Sequence, residues 1–379
     1  MKKMIALLLA LVMVLGLAAC GGSSAPATEA PATEAPKAEA PATEAPAAEP
    51  ETLYIPVMAK GFQHQFWQAV AAGSQAAADE LGVEIYFDGP ASETEIQAQV
   101  DMVKKELAKN PVAIALAALD TQAVADILDE CAEKNIPVIG FDSGVPGDTS
   151  GAVEATACTN NEAAAAIAAE KFGEHADLVA AMQNATVDAP VIIACLSQDA
   201  VSTSVTGRTT GFVNKMKEVA SQYGTVAVVG HDKWVDGDAA AASIIIEVAI
   251  SATTEATDVQ NAANTLLAKD NLIAVFCSNE GTVTGFLAAT SDGEDLADGE
   301  KYGDLVVAGF DAGAAQKNAV RNGWFYGSVT QDPYHIGYYA VEMAVAAAKG
   351  EAVADKDTGA QWYNADNIDD EMIAMLVYD

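Results

Sequence analysis

Leu53-Tyr54-Ile55-Pro56-Val57-Met58 is a short apolar run, and a helical pattern from Gln65 to Leu81, stopped by Gly82, leads to the next, Val83-Glu84-Ile85-Tyr86-Phe87. The alternation continues. A helix from about Glu93 to Lys109 ends before Asn110-Pro111, and a strand covers Val112 to Leu116. The helix Gln122 to Lys134 then precedes Ile136-Pro137-Val138-Ile139-Gly140-Phe141. Apolar runs too short for helices, alternating with longer amphipathic segments, predict βαβ units around a parallel sheet.

A second series follows Cys158. Helices are expected over Glu162–Phe172, Val205–Tyr223, Gly281–Thr290 and Gly313–Asn322, and a long helical region is expected to begin within Asp238–Ser251. Strands are expected over Ala189–Leu196, Thr225–Gly230, Leu272–Cys277, Leu305–Phe310 and Trp324–Thr330. Two series of comparable length predict an α/β protein of two similar doubly wound parallel-sheet lobes. The segments near Ala155–Asn160 and Gln331–Pro333 have the least helical character and are the expected hinge.

Upstream, Lys2 and Lys3 precede an almost unbroken apolar stretch from Ile5 to Leu17, followed by small residues and Cys20. This is the layout of a secretory signal, and the stretch falls short of the ~20 residues a spanning helix needs. Leu17-Ala18-Ala19-Cys20 resembles the lipobox of bacterial lipoproteins, which implies a lipidated Cys20 after a signal peptide at 1–20. Residues 21–51 repeat variants of Ala30-Pro31-Ala32-Thr33-Glu34. Proline at every fifth position blocks a continuous helix, so this segment reads as a semi-extended tether.

The formal charge is −35, with 54 acidic residues against 19 lysines and arginines. That excludes the basic patches that nucleic acid and anionic membrane surfaces require, leaving the lipid as the expected membrane contact. The only arginines are Arg208 and Arg321, too few for a site built on guanidinium forks, so neutral ligands are favoured. Cys131, Cys158, Cys195 and Cys277 are widely spaced and read as buried free thiols, with one disulfide as the alternative. No Gly-x-Ser-x-Gly elbow, His-Glu-x-x-His pair or Gly-x-Gly-x-x-Gly turn occurs. The acidic loop Asp292–Glu300 lacks the spacing of a calcium loop. No catalytic residue, cofactor or metal is expected, although Asp142 and Asp311 are a conceivable pair of acids.

Four blocks carry a family resemblance. His64-Gln65-Phe66-Trp67 precedes a helix containing Ala72-Gly73, and Val138-Ile139-Gly140-Phe141-Asp142-Ser143 ends a strand in an acid. Val306-Val307-Ala308-Gly309-Phe310-Asp311 does the same, and Val329-Thr330-Gln331-Asp332-Pro333 leads to Gly337 and a helix ending at Lys349-Gly350. In this order and spacing, from Leu53 to Lys349, the chain resembles the ribose-type periplasmic binding proteins that serve sugar-importing ABC transporters.

The resemblance implies the type I fold, with ligand clamped between lobes joined by three crossings. It implies lobes at 52–157 plus about 332–358, and at 158–331 plus about 359–379. It also implies a monomer that delivers its ligand to permease subunits. Position by position, it places His64, Phe66, Trp67, Asp142 and Ser143 in the first lobe's contacts. Arg208, Trp234, Asn279 and Asp311 are placed in those of the second lobe, with Gln331 at the hinge. Such a set suits a sugar or polyol, since rings cover C–H faces while carboxylates and amides meet hydroxyls. Ser143 and Thr206 stand where the ribose receptor has arginines, and His64 where it has an asparagine, which points away from ribose itself. Tyr86-Phe87-Asp88-Gly89-Pro90 is reminiscent of relatives that bind a furanosyl signalling molecule. The alternative is therefore a receptor for such a signal or for a nucleoside, feeding a transporter or a membrane sensor.

Overall fold

The computed structural model describes residues 53–62 and 64–378; the expected signal segment with Cys20 and the tether at 21–51 lie outside the described residues. The first series is β1 (Tyr54–Met58), α1 (Phe66–Leu81), β2 (Glu84–Asp88), α2 (Ile96–Leu107), β3 (Ile114–Leu116), α3 (Ala125–Lys134), β4 (Val138–Phe141) and β5 (Val153–Cys158). The chain continues through α4 (Asn161–Glu174), α5 (Ala176–Asn184), β6 (Val191–Ser197), α6 (Thr203–Ala220), β7 (Val226–Val229) and β8 (Ile244–Ile250). Next come α7 (Ala256–Leu267), β9 (Leu272–Cys277), α8 (Glu280–Ala289), β10 (Val306–Phe310), α9 (Ala314–Arg321) and β11 (Gly327–Gln331). The last elements are α10 (Pro333–Ala348), β12 (Lys356–Asp357), β13 (Ala360–Tyr363) and α11 (Glu371–Ala374).

The strands form two sheets. One has the order β12-β5-β4-β3-β1-β2 and the other β13-β11-β10-β9-β6-β8-β7. All pairings are parallel except that of β11 with β13. The chain passes between the sheets after β5, after β11, and between β12 and β13. Helices cover both faces of each sheet, so every residue of β4, β10 and β11 is buried. In the first lobe α1 and α10 pack on Ile55, Val57 and Ile139, while α2 and α3 pack on Met58, Ile114 and Val138. In the second, Phe172 and Phe212 from α4 and α6 fill one layer, and Leu266, Phe286 and Val320 from α7, α8 and α9 fill the other.

One expectation fails clearly. Asp238–Ser251 does not begin a long helix: Asp238 caps a single tight turn at Ala239–Ala241, and Ile244–Ile250 is strand β8. Four consecutive alanines suggested a helix, but Ile244-Ile245-Ile246 is a β-branched run, and pairing with both β6 and β7 decides the outcome. The expected hinge near Ala155–Asn160 is in large part strand β5, paired with β4, and the crossing follows it. Cys131, Cys158, Cys195 and Cys277 are free thiols. Burial pushes Cys131 and Cys158 up to about 11 and Cys195 to about 12, which leaves them unreactive at neutral pH.

The α1–α10 contact depends on two glycines. A Cβ on Gly73 would lie 1.8 Å from the Tyr334 carbonyl oxygen, and one on Gly337 would lie 2.0 Å from that of Val70. Ser74 Oγ donates back within α1 to Val70 O at 2.9 Å and across the crossing to Gly337 O at 3.3 Å. Because the obstacle is backbone, rotamer changes cannot relieve it and the helices must move apart. We expect Gly73→Ala and Gly337→Ala each to lower stability by about 1–3 kcal/mol, despite alanine's better helix propensity. Urea unfolding checks this, and an unchanged midpoint would refute the close-packing account.

Candidate functional site

The carboxyl ends of the strands of both sheets meet in a cleft, where open α/β sheets place ligands. Asp142 follows β4 and Asp311 follows β10, both with left-handed backbone, φ 52° and 80°. Aspartate tolerates that conformation, which ends each strand abruptly and leaves a buried carboxylate at the seam.

Each carboxylate has a buried cation. Lys60, two residues beyond β1, holds Asp142 at 2.8 Å, and Arg208 on α6 holds Asp311 at 3.3 Å, all four side chains at most 6% exposed. Arg208 is fixed further by Asn161 Oδ1 at 2.8 Å, the Ser278 carbonyl at 3.2 Å and the Phe310 ring 3.9 Å beneath it. Asp311 also accepts from Gln331 Nε2 at 2.7 Å and from the Glu280 backbone N–H at 3.0 Å. Ser143 donates to Asp142 at 3.1 Å and lies 3.1 Å from Ser204 of the opposite lobe.

Aromatic rings floor the first-lobe side. Trp67 is buried, edge-on to Phe66 and Phe141, and donates Nε1–H to Glu93 at 3.1 Å. The Lys60 ammonium lies 5.7 Å from its ring centre. Asn279 plays two parts: its Oδ1 accepts from Thr282 in a capping box at the start of α8, and its Nδ2 donates to Gln198 at 2.6 Å. His64 Nε2 and Gln331 Oε1 are shut off from solvent and have no hydrogen-bond partner among the described residues.

The lobes meet directly here. Lys60 donates to Ser204 at 3.1 Å and Ser202 at 3.3 Å, and Gln198 donates to Glu93 at 2.8 Å. The free space between these side chains is about 20 Å³, room for about one water molecule. Admitting anything larger requires the lobes to part. Larger hollows of about 500 and 470 Å³ lie along the crossings, outside the buried ion pairs.

The structure thus brings together His64, Phe66, Trp67, Asp142, Arg208, Asn279, Asp311 and Gln331 around one cleft, with Ser143 beside them. Trp234 is not among them. It packs into the second-lobe core and donates Nε1–H to Thr210 at 3.0 Å. Thr210 and Arg208 are two apart on α6, so they face different sides of that helix, and the indole sits on the flank turned from the cleft. Lys60, Glu93 and Gln198 were missed. A lysine just after a buried apolar strand was the available signal for Lys60; Glu93 and Gln198 follow β2 and β6 in loops with no distinguishing pattern.

Burial shapes the protonation of this seam. For Lys60, burial opposes the charge, but the carboxylates of Asp142, Glu93 and Asp199 outweigh it and hold the ammonium above its usual value. Burial raises the Asp199 carboxyl against the N–H groups of Ser202 and Val201. Glu280 is also raised by burial, with His64 opposing and Asp311 reinforcing.

A two-lobed fold with a polar, ring-floored cleft has known counterparts. The chain is 25% identical over 320 residues to the D-allose-binding periplasmic protein of Escherichia coli K12, covering 82% of this chain and 90% of that protein. A solved structure described as an ABC transporter, LacI family transcriptional regulator, from Brachyspira murdochii is 42% identical, with a TM-score of 0.72 over 86% of this chain and 99% of that one. A carbohydrate transporter solute-binding protein from Agrobacterium radiobacter, solved with D-arabinose, is 26% identical, with a TM-score of 0.70 over 87% of this chain and all of that one. The sequence pattern of the periplasmic binding protein domain matches residues 55–352, most of the described chain, and on that ground the chain belongs to this family of substrate-binding proteins.

Proposed function

We propose that this chain captures a small neutral sugar or polyol between its lobes, outside the cell, and delivers it to an ABC transporter permease. The observation that carries the reading is the pair of buried ion pairs, Lys60–Asp142 and Arg208–Asp311, facing each other from opposite lobes beside Trp67. Each pair offers fixed donors and acceptors without excess positive charge, which is what hydroxyl groups need and what phosphates or carboxylates would not accept. The E. coli relative is a D-allose-binding protein and the A. radiobacter relative was solved with D-arabinose, both neutral sugars. The net charge of −35 disfavours the DNA binding that a transcriptional regulator would need.

A ligand touching both lobes replaces the direct bonds of Lys60 with Ser202 and Ser204, and of Gln198 with Glu93, by bonds through its own hydroxyls. Only such two-sided contact shifts the balance between open and closed forms. The reading includes a lipid on Cys20, residues 21–51 as spacer, a monomeric receptor, and no turnover of ligand.

The test is a thermal-shift panel of pentoses, hexoses, inositols, furanosyl signals and nucleosides on the purified chain. A true ligand adds about 2.7 kcal/mol of stability at a hundredfold excess over its Kd. A nucleoside or furanosyl signal acting alone would overturn the substrate class. With the ligand in hand, Asp311→Asn and Gln331→Ala should weaken binding about tenfold to hundredfold, the loss of a hydrogen bond to a charged or buried group. Trp234→Phe should leave calorimetric affinity unchanged, and a comparable loss there would return Trp234 to the cleft.

The raised Glu280 carboxyl gives a pH dependence. Its ordinary value is 4.5, and burial in the closed cleft lifts it, so closing takes up a proton. Glu280 therefore favours closure fully at low pH and withdraws that support as pH rises through the raised value. Affinity for a neutral ligand should be tighter at about pH 5 than at about pH 7.5, and Glu280→Gln should flatten the difference. Weaker binding at the lower pH would contradict this sign.

A further inference from the structure

Two helices that face each other across the cleft have no caps of their own. At α1 the N-cap is Gln65, whose side chain makes no capping bond, and at α9 it is Gly313, which has no side chain. The exposed N–H groups of a helix start need acceptors, and burial without them is costly. Each helix takes its acceptor from the other lobe. Glu280 of the second lobe receives the backbone N–H of Gln65 at 3.2 Å and of Phe66 at 3.4 Å. In return, the Gln65 side-chain oxygen receives the N–H of Ala314, the first residue of α9, at 2.8 Å.

We propose that this exchange of caps between Gln65 and Glu280 is a closure latch that works without ligand and sets how much of the protein is closed beforehand. Three observations support it. Neither side chain lines the space between the ion pairs, so the latch is separable from ligand contact. Its carboxylate oxygens meet the N–H groups of Gln65 and Phe66 at the start of a sixteen-residue helix that has no side-chain cap of its own. The approach is close enough to need Gly313, where a Cβ would lie 2.6 Å from Glu280 Oε1 and 3.2 Å from Gln65 Oε1. When the lobes part, water takes over both caps, so the latch biases the equilibrium without locking it.

Small-angle scattering of the purified chain alone tests this, without reference to any ligand, so the sugar reading and the latch can fail separately. The parent should show a measurable closed fraction. Gln65→Ala and Glu280→Ala should each lower the closed-to-open ratio by roughly threefold to thirtyfold, the span of a lost helix cap, and the double variant should lower it further. Glu280→Gln, which keeps one acceptor oxygen and carries no charge to bury, should stay closer to the parent than Glu280→Ala. Circular dichroism should stay unchanged, which separates a latch from a general loss of fold. A parent that is fully open, or variants scattering like the parent, would overturn the proposal.

Discussion

The cleft is governed by two carboxylates held out of water at the ends of β4 and β10. A lone buried carboxylate is strongly unfavourable, so Asp142 and Asp311 each require a cation and further donors. Lys60 and Arg208 supply the cations. The remaining positions follow from them: Arg208 must emerge from α6 over the Phe310 ring, and Gln331 must end β11 within reach of Asp311. The cations are then themselves fixed. Lys60 is directed by its pairing toward Ser202 and Ser204 of the other lobe, so the charge balance of one lobe becomes a contact with the next.

That coupling explains the close seam between the lobes. Hydrogen bonds across it join side chains in loops after the strands and in the first turns of the helices that follow, next to parallel sheets buried on both faces. The loops therefore approach as rigid units, and small residues mark the tightest points. At Gly281 a Cβ would lie 2.2 Å from Gln198 Oε1 and 3.1 Å from the His64 ring. Motion is left to the three crossings, after Cys158, after Gln331 and between Asp357 and Ala360. Gln331 ends β11 where the second crossing begins, and its side chain reaches Asp311 in the cleft.

Much of this was legible in the sequence, for reasons that differ by element. Buried parallel strands leave continuous apolar runs, so the ends of β4 and β10 were readable, while the ligand-facing roles expected of Asp142 and Asp311 came from the family resemblance. Chain position along a strand gives direction almost without ambiguity. Loops do not: Trp234 has the composition of a ligand-facing aromatic, yet its place is decided by which side of α6 it meets. Strand β8 hid behind alanines because pairing with two neighbours is a tertiary fact. Strand β12 spans only Lys356–Asp357, too short to leave a pattern, so the third crossing was accessible through family resemblance alone. Lys60 was overlooked because its chemistry depends on Asp142, more than eighty positions away in sequence, and no local window contains both.

The same charge balance bears on what the cleft can hold. Each cation is already matched to a carboxylate, and Glu93 and Asp199 add further negative charge beside Lys60. An anionic ligand would have to draw Lys60 or Arg208 from its partner, leaving a buried carboxylate uncompensated. A hydroxyl group makes no such demand. It can accept from the ammonium or guanidinium and donate to the carboxylate at once, entering the network without changing its charge. Ion pairs of this kind add little to stability by themselves, since desolvation offsets their attraction. Their value here is that they hold donors and acceptors at fixed separation in a buried seam, the arrangement that the proposed neutral sugar or polyol would need.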